Sequence, residues 1–134
     1  MNKLVGKLAA LQVAGGIVLA DIDACGQRFS ALMIESGELP HWMVVGASVA
    51  LLFKETEVSL AKKLSGQLSI RNRMDCNVER IVRGQLLTTV YLRYQGAVIA
   101  SAITTRAADA LQITLGEDVT ALVKSSEMTL GEEK

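Results

Sequence analysis

Set against itself at an offset of 70 residues, the chain aligns without a gap. Asn2 falls on Asn72, Gly26 on Gly96, Gly46 on Gly116 and Val49 on Val119. Leu52 falls on Leu122, Lys54 on Lys124, Glu57 on Glu127 and Leu60 on Leu130. Six of these eight identities gather in "GASVALLFKETEVSL" against "GEDVTALVKSSEMTL". Apolar character is kept elsewhere, at Leu4 with Met74, Leu8 with Val78, Leu11 with Ile81, Phe29 with Ile99 and Met33 with Ile103. Self-similarity at a fixed period means one small unit used twice. The first module is read as residues 1–64 and the second as 68–134, with the charged joint "LAKKLSGQ" between them. Modules this small bury little surface, so they are expected to pack in pairs, within a chain and between chains.

Each module reads mostly as β. "GQLLTTVYLRY" and "AVIASAITT" are rich in β-branched and aromatic residues, and Gln95-Gly96 between them predicts a hairpin turn. "CGQRFSALMI" repeats the design with Gly26 at the turn. "SVALLFKETEVSL" and "DVTALVKSSEMTL" are further strands carrying a lysine at the same place. "TRAADALQI" is the best helix candidate, with Thr105 as its N-cap and Gly116 beyond its end. The matching stretch "ESGELPHWMV" is poorer, because Gly37 and Pro40 break it. The fold class that follows is mainly β: two tandem OB-like small β-barrel modules, each with one short helix.

Composition narrows the function. Lys and Arg number 14 and Asp and Glu 14, giving a formal net charge of zero, which argues against a nucleic-acid or anionic-membrane surface. Aromatic residues are 4% of the chain, too few for base-stacking platforms. Cys25 and Cys76 lack C-x-x-C spacing and read as reduced thiols, Cys76 as a small buried hydrophobe. His41 is the only histidine, so neither a zinc site nor a histidine-based triad is readily built. "MNKLVGKLAALQVAGGIVLA" superficially resembles a secretory signal. The repeat weakens that reading, because the stretch has a structural counterpart 70 residues later.

One polar stretch asks for chemistry. "LSIRN", residues 68–72, places a hydroxyl, a guanidinium and an amide within four residues at the start of the second module. Such a group suits an anion held by a few placed donors. "SIRN" at 69–72, "ITT" at 103–105 and "VKSSEMTL" at 123–130 together resemble the Mop module, the molybdate- or tungstate-binding (molbindin or TOBE-like) domain. The doubled arrangement resembles the di-Mop cytoplasmic molbindins and the molybdate-sensing tail of the molybdate-responsive transcription regulator.

That resemblance implies OB-type barrels that assemble as homo-oligomers, trimers or dimers, with the oxyanion bound where modules meet. It implies that Ser69, Arg71 and Asn72 face Thr104, Lys124 and Ser125, with the backbone N–H of Ile70 contributing. It further implies a cytoplasmic protein that binds molybdate or tungstate for storage, homeostasis or sensing, with no organic cofactor, nucleic acid or membrane. The first module departs from the pattern. It begins at Asn2 and lacks the Ser and Arg partners, Ile34 stands where Thr104 stands, and Glu55 stands where Ser125 stands. Lys54 remains as a charge at the junction.

The chemistry fits these residue types. Molybdate is a tetrahedral dianion with four acceptor oxygens and no proton to give near neutral pH, so its site wants donors and cations rather than acceptors. Each residue has a plainer reading too. Ser69 and Asn72 are standard turn residues, Arg71 is a solvated linker charge, and Lys124 guards a strand edge. Thr104 is favourable in any strand. His41 and Trp42 cover a core edge. No Walker A sequence or helix-turn-helix is present, so as a regulatory partner of a transporter or transcription regulator the chain would be the sensing part. An enzyme is disfavoured for want of a nucleophile–base or paired-acid constellation.

Overall fold

The computed structural model describes residues 1–35 and 37–134. The first half supplies β1 (Asn2–Ala14), β2 (Ile17–Ala24), β3 (Gln27–Ile34), β4 (Ser48–Phe53) and β5 (Ser59–Ala61). The second supplies β6 (Asn72–Arg83), β7 (Leu87–Tyr94), β8 (Ala97–Thr104), α1 (Thr105–Leu111), β9 (Asp118–Val123) and β10 (Thr129–Glu132). The strands recur at the 70-residue spacing of the sequence repeat, down to their irregularities. Ala9 and Glu79 are skipped in the ladders of the two long strands, each a bulge at the same place. A bulge bends its strand and raises its twist, as a barrel-like sheet requires.

The hairpin turns follow from their residues. Cys25 and Gly26 have φ of 53° and 74°, and Gln95 and Gly96 have 49° and 84°. Two successive positive φ values make the primed turn whose twist matches the flanking strands. The uncharged run near the N-terminus is the β1–β2 hairpin, turning at Gly15-Gly16. Among the described residues, no helix is long and apolar enough to cross a membrane.

The helices differ from expectation in two ways. Thr104, not Thr105, is the N-cap: its hydroxyl accepts from the Ala107 N–H at 3.1 Å. The helix closes at Gln112 in the left-handed conformation, with Gly116 beyond its end as expected. In the first half the helix is missing among the described residues, and 37–46 run as bends and turns instead. Pro40 has no N–H to give a helix, and Gly37 adds backbone freedom, so the stretch loses on both counts. Ser36 of "ESGELPHWMV" lies outside the described residues.

The two segments read as lysine-bearing strands each break at the lysine. A single 3-10 turn, at 55–57 and again at 125–127, separates β4 from β5 and β9 from β10. The short strand beyond each turn then joins the opposite half. The first sheet runs β10-β4-β1-β2-β3 and the second β5-β9-β6-β7-β8, both antiparallel. Each sheet therefore takes four strands from one half and its fifth from the other.

This exchange is fastened by buried groups. Val58 and Met128, at the ends of the 3-10 turns, are buried, and the Ser101 hydroxyl donates to the Val58 carbonyl at 2.6 Å. Core residues of both halves form one cluster, in which the Phe29 ring meets Tyr94 edge-on at 6.4 Å between centroids. Trp42 packs against this cluster as an edge cover, while His41 stays exposed. Cys76 is buried as expected, and desolvation pushes its thiol up to about 12.

Two asparagines complete the joint with twofold likeness. Asn2 accepts from the Ala100 N–H and donates to the Ala100 carbonyl, both at 2.8 Å. Asn72, 70 residues on, does the same to Ser30 at 2.9 Å each. Each buried side-chain amide thus acts as a piece of backbone, extending one half's strand start onto the edge strand of the other. The identity of Asn2 with Asn72 in the repeat has this physical cause.

Candidate functional site

The linker delivers "SIRN" to this joint. Lys62 donates to the carbonyls of Leu111 and Gln112 at 2.8 and 3.2 Å, a cation on the C-terminal end of α1, and pairs with Glu117 at 2.9 Å. Arg73 holds the other end, donating from Nε to the Ile70 carbonyl at 2.9 Å and from its terminal nitrogen to the Leu68 carbonyl at 2.8 Å. Between them Ser69 is exposed, Ile70 half-buried, Arg71 exposed and Asn72 fully buried.

Asn72 pairs with Val123 across the β6–β9 ladder, so Arg71 and Lys124 lie side by side just beyond the last rung. Lys124 is exposed and opens the 3-10 turn, and Ser125 follows, half-buried. The turn packs on β3 of the first half, where the Ser125 and Ser30 hydroxyl oxygens are 2.8 Å apart. Arg71, Ser125 and Ser30 line one open pocket of about 450 Å3 together with Leu19, Asp21, Arg28 and Phe29.

The charges on this wall are not equivalent. Arg28 is bound by both carboxylate oxygens of Asp23, at 2.9 and 3.1 Å. That hydrogen bond holds Asp23 below the usual carboxylate range and Arg28 above its own, with Asp21 adding a smaller push on Arg28. Arg71 makes no ion pair among the described residues. It is the pocket's unpaired cation among the described residues, with the exposed Lys124 beside it. Asp21 is an acceptor on the wall, which a donor-only site for a proton-free anion would not call for.

The remaining residues of the expected set stand elsewhere on the chain. Thr104 caps α1 and lines a pocket of about 570 Å3 with Arg83, Thr105 and Arg106, where Arg83 is paired with Asp109. Lys54 lines a pocket of about 200 Å3 with Glu57, Ser126, Glu127 and Thr129. The structure thus brings Arg71 and Ser125 together and leaves Thr104 and Lys54 apart from them. Asn72 lies beneath the site with both ends of its amide engaged by Ser30.

Ser30 escaped the sequence reading, because its counterpart in the repeat is Ala100 and no motif marks it. Its signal is the 70-residue alignment itself: Asn72 reaches Ser30 just as Asn2 reaches Ala100. At the counterpart position of the first half, Glu55 replaces Ser125 and Met1 replaces Arg71. There the Met1 ammonium donates to Glu55 at 2.6 Å, and this hydrogen bond holds the Glu55 carboxyl below its ordinary range. That corner has its negative charge built in.

Comparison with known proteins agrees with this architecture. Residues 68–130 match the TOBE domain family. The chain is 32% identical over 108 residues to the molybdenum import ATP-binding protein ModC of Brucella abortus (strain 2308), a match covering 80% of this chain and 28% of that protein. It is 27% identical over 127 residues to the molybdenum transport protein ModE of Herbaspirillum seropedicae, covering 92% of this chain and 47% of that protein. The chain therefore spans less than half the length of either relative. A solved structure of the cytoplasmic molybdate-binding protein ModG, with molybdate bound, superposes with a TM-score of 0.87 at 24% identity, covering 98% of this chain and 96% of that one. That likeness establishes the fold. Residues 68–130 match the TOBE domain, and the chain as a whole has the two-module fold of the ModG structure.

Proposed function

We propose that this chain binds molybdate or tungstate reversibly in the cytoplasm, for storage, homeostasis or sensing, and that it does so without an organic cofactor. The observation that carries the reading is the meeting, in one pocket, of Arg71, a cation with no ion pair among the described residues, and the Ser125 hydroxyl, both from the segment that matches the TOBE domain. Hydrogen bonds to a charged partner contribute about 1.5–3 kcal/mol each, so a few such donors give useful affinity. Binding is the chemistry that a cation and hydroxyl donors of this kind supply.

Thr104 and Lys54 then belong to sites completed by a second copy of the chain in a symmetric dimer or trimer, while Lys124 serves the Arg71 pocket from beside it. Exposed apolar residues on the outer strands, Ile34 on β3 and Val98 on β8, support such pairing. A role as the oxyanion-sensing partner of a transporter or transcription regulator is the second reading, favoured by what the curated relatives are named for. A nucleic-acid-binding role is disfavoured by the zero net charge.

Calorimetric titration of the chain with molybdate, with tungstate and with a short oligonucleotide separates these classes. Saturable heat is expected with either oxyanion and none with the oligonucleotide. Flat oxyanion titrations beside a saturable oligonucleotide signal would overturn the proposal. Light scattering of the same samples is expected to give a dimer or trimer, and a monomer throughout would remove the inter-subunit sites.

A further inference from the structure

We infer that Ser30, contributed by the first half, is a donor of the oxyanion pocket formed around Arg71 and Ser125 of the second. The inference rests on the functional reading above and extends it to a residue outside the TOBE domain. Three observations carry it. Ser30 lines the same pocket as Arg71 and Ser125, and its hydroxyl oxygen lies 2.8 Å from that of Ser125. Its backbone is fixed at both polar groups by the buried Asn72 amide, so the hydroxyl is held in place before any ligand arrives. The third is the comparison between the two halves of the joint.

The asparagine frame is present at both corners, as Asn2 on Ala100 and Asn72 on Ser30. The donors are not. At one corner stand Arg71, Ser125 and Ser30; at the other, Met1, Glu55 and Ala100. A hydroxyl needed only to hold the joint together would be wanted wherever the asparagine is. Instead the Ser30 hydroxyl keeps company with the arginine and the second hydroxyl, and it is missing where a carboxylate replaces them. Without a ligand, one of the two hydroxyls spends its proton on the other. An anion with four acceptor oxygens takes both protons, because a charged acceptor outbids a neutral one. The first half then contributes to binding through β3 as well as through any part played by Lys54.

The test is a molybdate titration of the full chain as wild type, Ser30→Ala and Ser30→Thr, each with a urea unfolding curve. Ser30→Ala is expected to weaken binding about tenfold, one charge-assisted hydrogen bond. Its unfolding midpoint should shift only slightly, through the lost hydroxyl contact with Ser125, since the Asn72 bonds go to the Ser30 backbone. Ser30→Thr keeps the hydroxyl on a strand that favours β-branching and is expected to bind within about threefold of wild type. Wild-type affinity in Ser30→Ala, or equal loss in both variants, overturns the assignment of Ser30 alone. A wild-type chain that takes up no molybdate overturns the functional reading first and the Ser30 donor with it.

Discussion

Replacing Met128 with alanine is expected to destabilise the whole chain by about 2–5 kcal/mol, the usual range for truncating a fully buried methionine. Met128 has no exposed surface and sits in the core shared by both halves. It ends the 3-10 turn that hands β10 from the second half to the first sheet, where Thr129–Glu132 pair with β4. Loosening it loosens the edge of the opposite half. The chain should therefore unfold in one transition, and the variant should shift all of it. Trp42 is the only tryptophan and lines a pocket with Ser126, Thr129 and Leu130, so its fluorescence reports on the joint where β10 meets the first half. In urea, its midpoint should fall in Met128→Ala together with the circular-dichroism midpoint. A fluorescence midpoint unmoved while circular dichroism shifts would mean that the halves unfold independently. For a domain with total stability of about 5–15 kcal/mol, the expected loss is large.

Arg71→Ala is expected to weaken molybdate binding about ten- to a hundredfold, through loss of one or two charge-assisted hydrogen bonds and the pocket's available cation. The fold should be unaffected, because Arg71 is exposed and makes no ion pair among the described residues. Lys124→Ala should cost a similar factor, as Lys124 stands beside Arg71 past the end of the β6–β9 ladder. Lys54→Ala should cost less, because Lys54 shares its pocket with Glu57 and Glu127. An equal loss in Lys54→Ala would instead place that lysine across a subunit boundary from "SIRN". Isothermal titration of the three variants reads these differences. Unchanged affinity in both Arg71→Ala and Lys124→Ala would reduce "SIRN" to a turn.

Much of this architecture was legible in the sequence because it is local or repeated. The hairpins at Cys25-Gly26 and Gln95-Gly96 are set by residues that tolerate positive φ, and the repeat doubled the weight of each strand. The exchange of β5 and β10 was not legible. "SVALLFKETEVSL" and "DVTALVKSSEMTL" read as unbroken strands, and nothing local says that the last few residues cross over. Which sheet receives them is decided by where Val58 and Met128 can be buried, a tertiary fact.

The candidate site divides in the same way. Arg71 and Ser125 belong to segments that the family resemblance marks, and the strand pairing of Asn72 with Val123 draws those segments together. Asn72 looked like a ligand because an amide suits an anion. It is buried because the same amide also mimics a peptide group, and Ser30 offers both matching partners. Ser30 could not be read from its neighbours at all. It reaches the pocket only because one half's edge strand lies against the other half's strand start.

A tetrahedral oxyanion is expected to sit against Arg71, Ser125 and Ser30. Crystals of the chain grown with tungstate test it most directly, because the tungsten atom can be located by its anomalous scattering. A tungsten peak is expected in this pocket, with oxygens within hydrogen-bond reach of the Arg71 guanidinium and the Ser125 hydroxyl. A peak only elsewhere on the chain, or no peak under saturating tungstate, would contradict it.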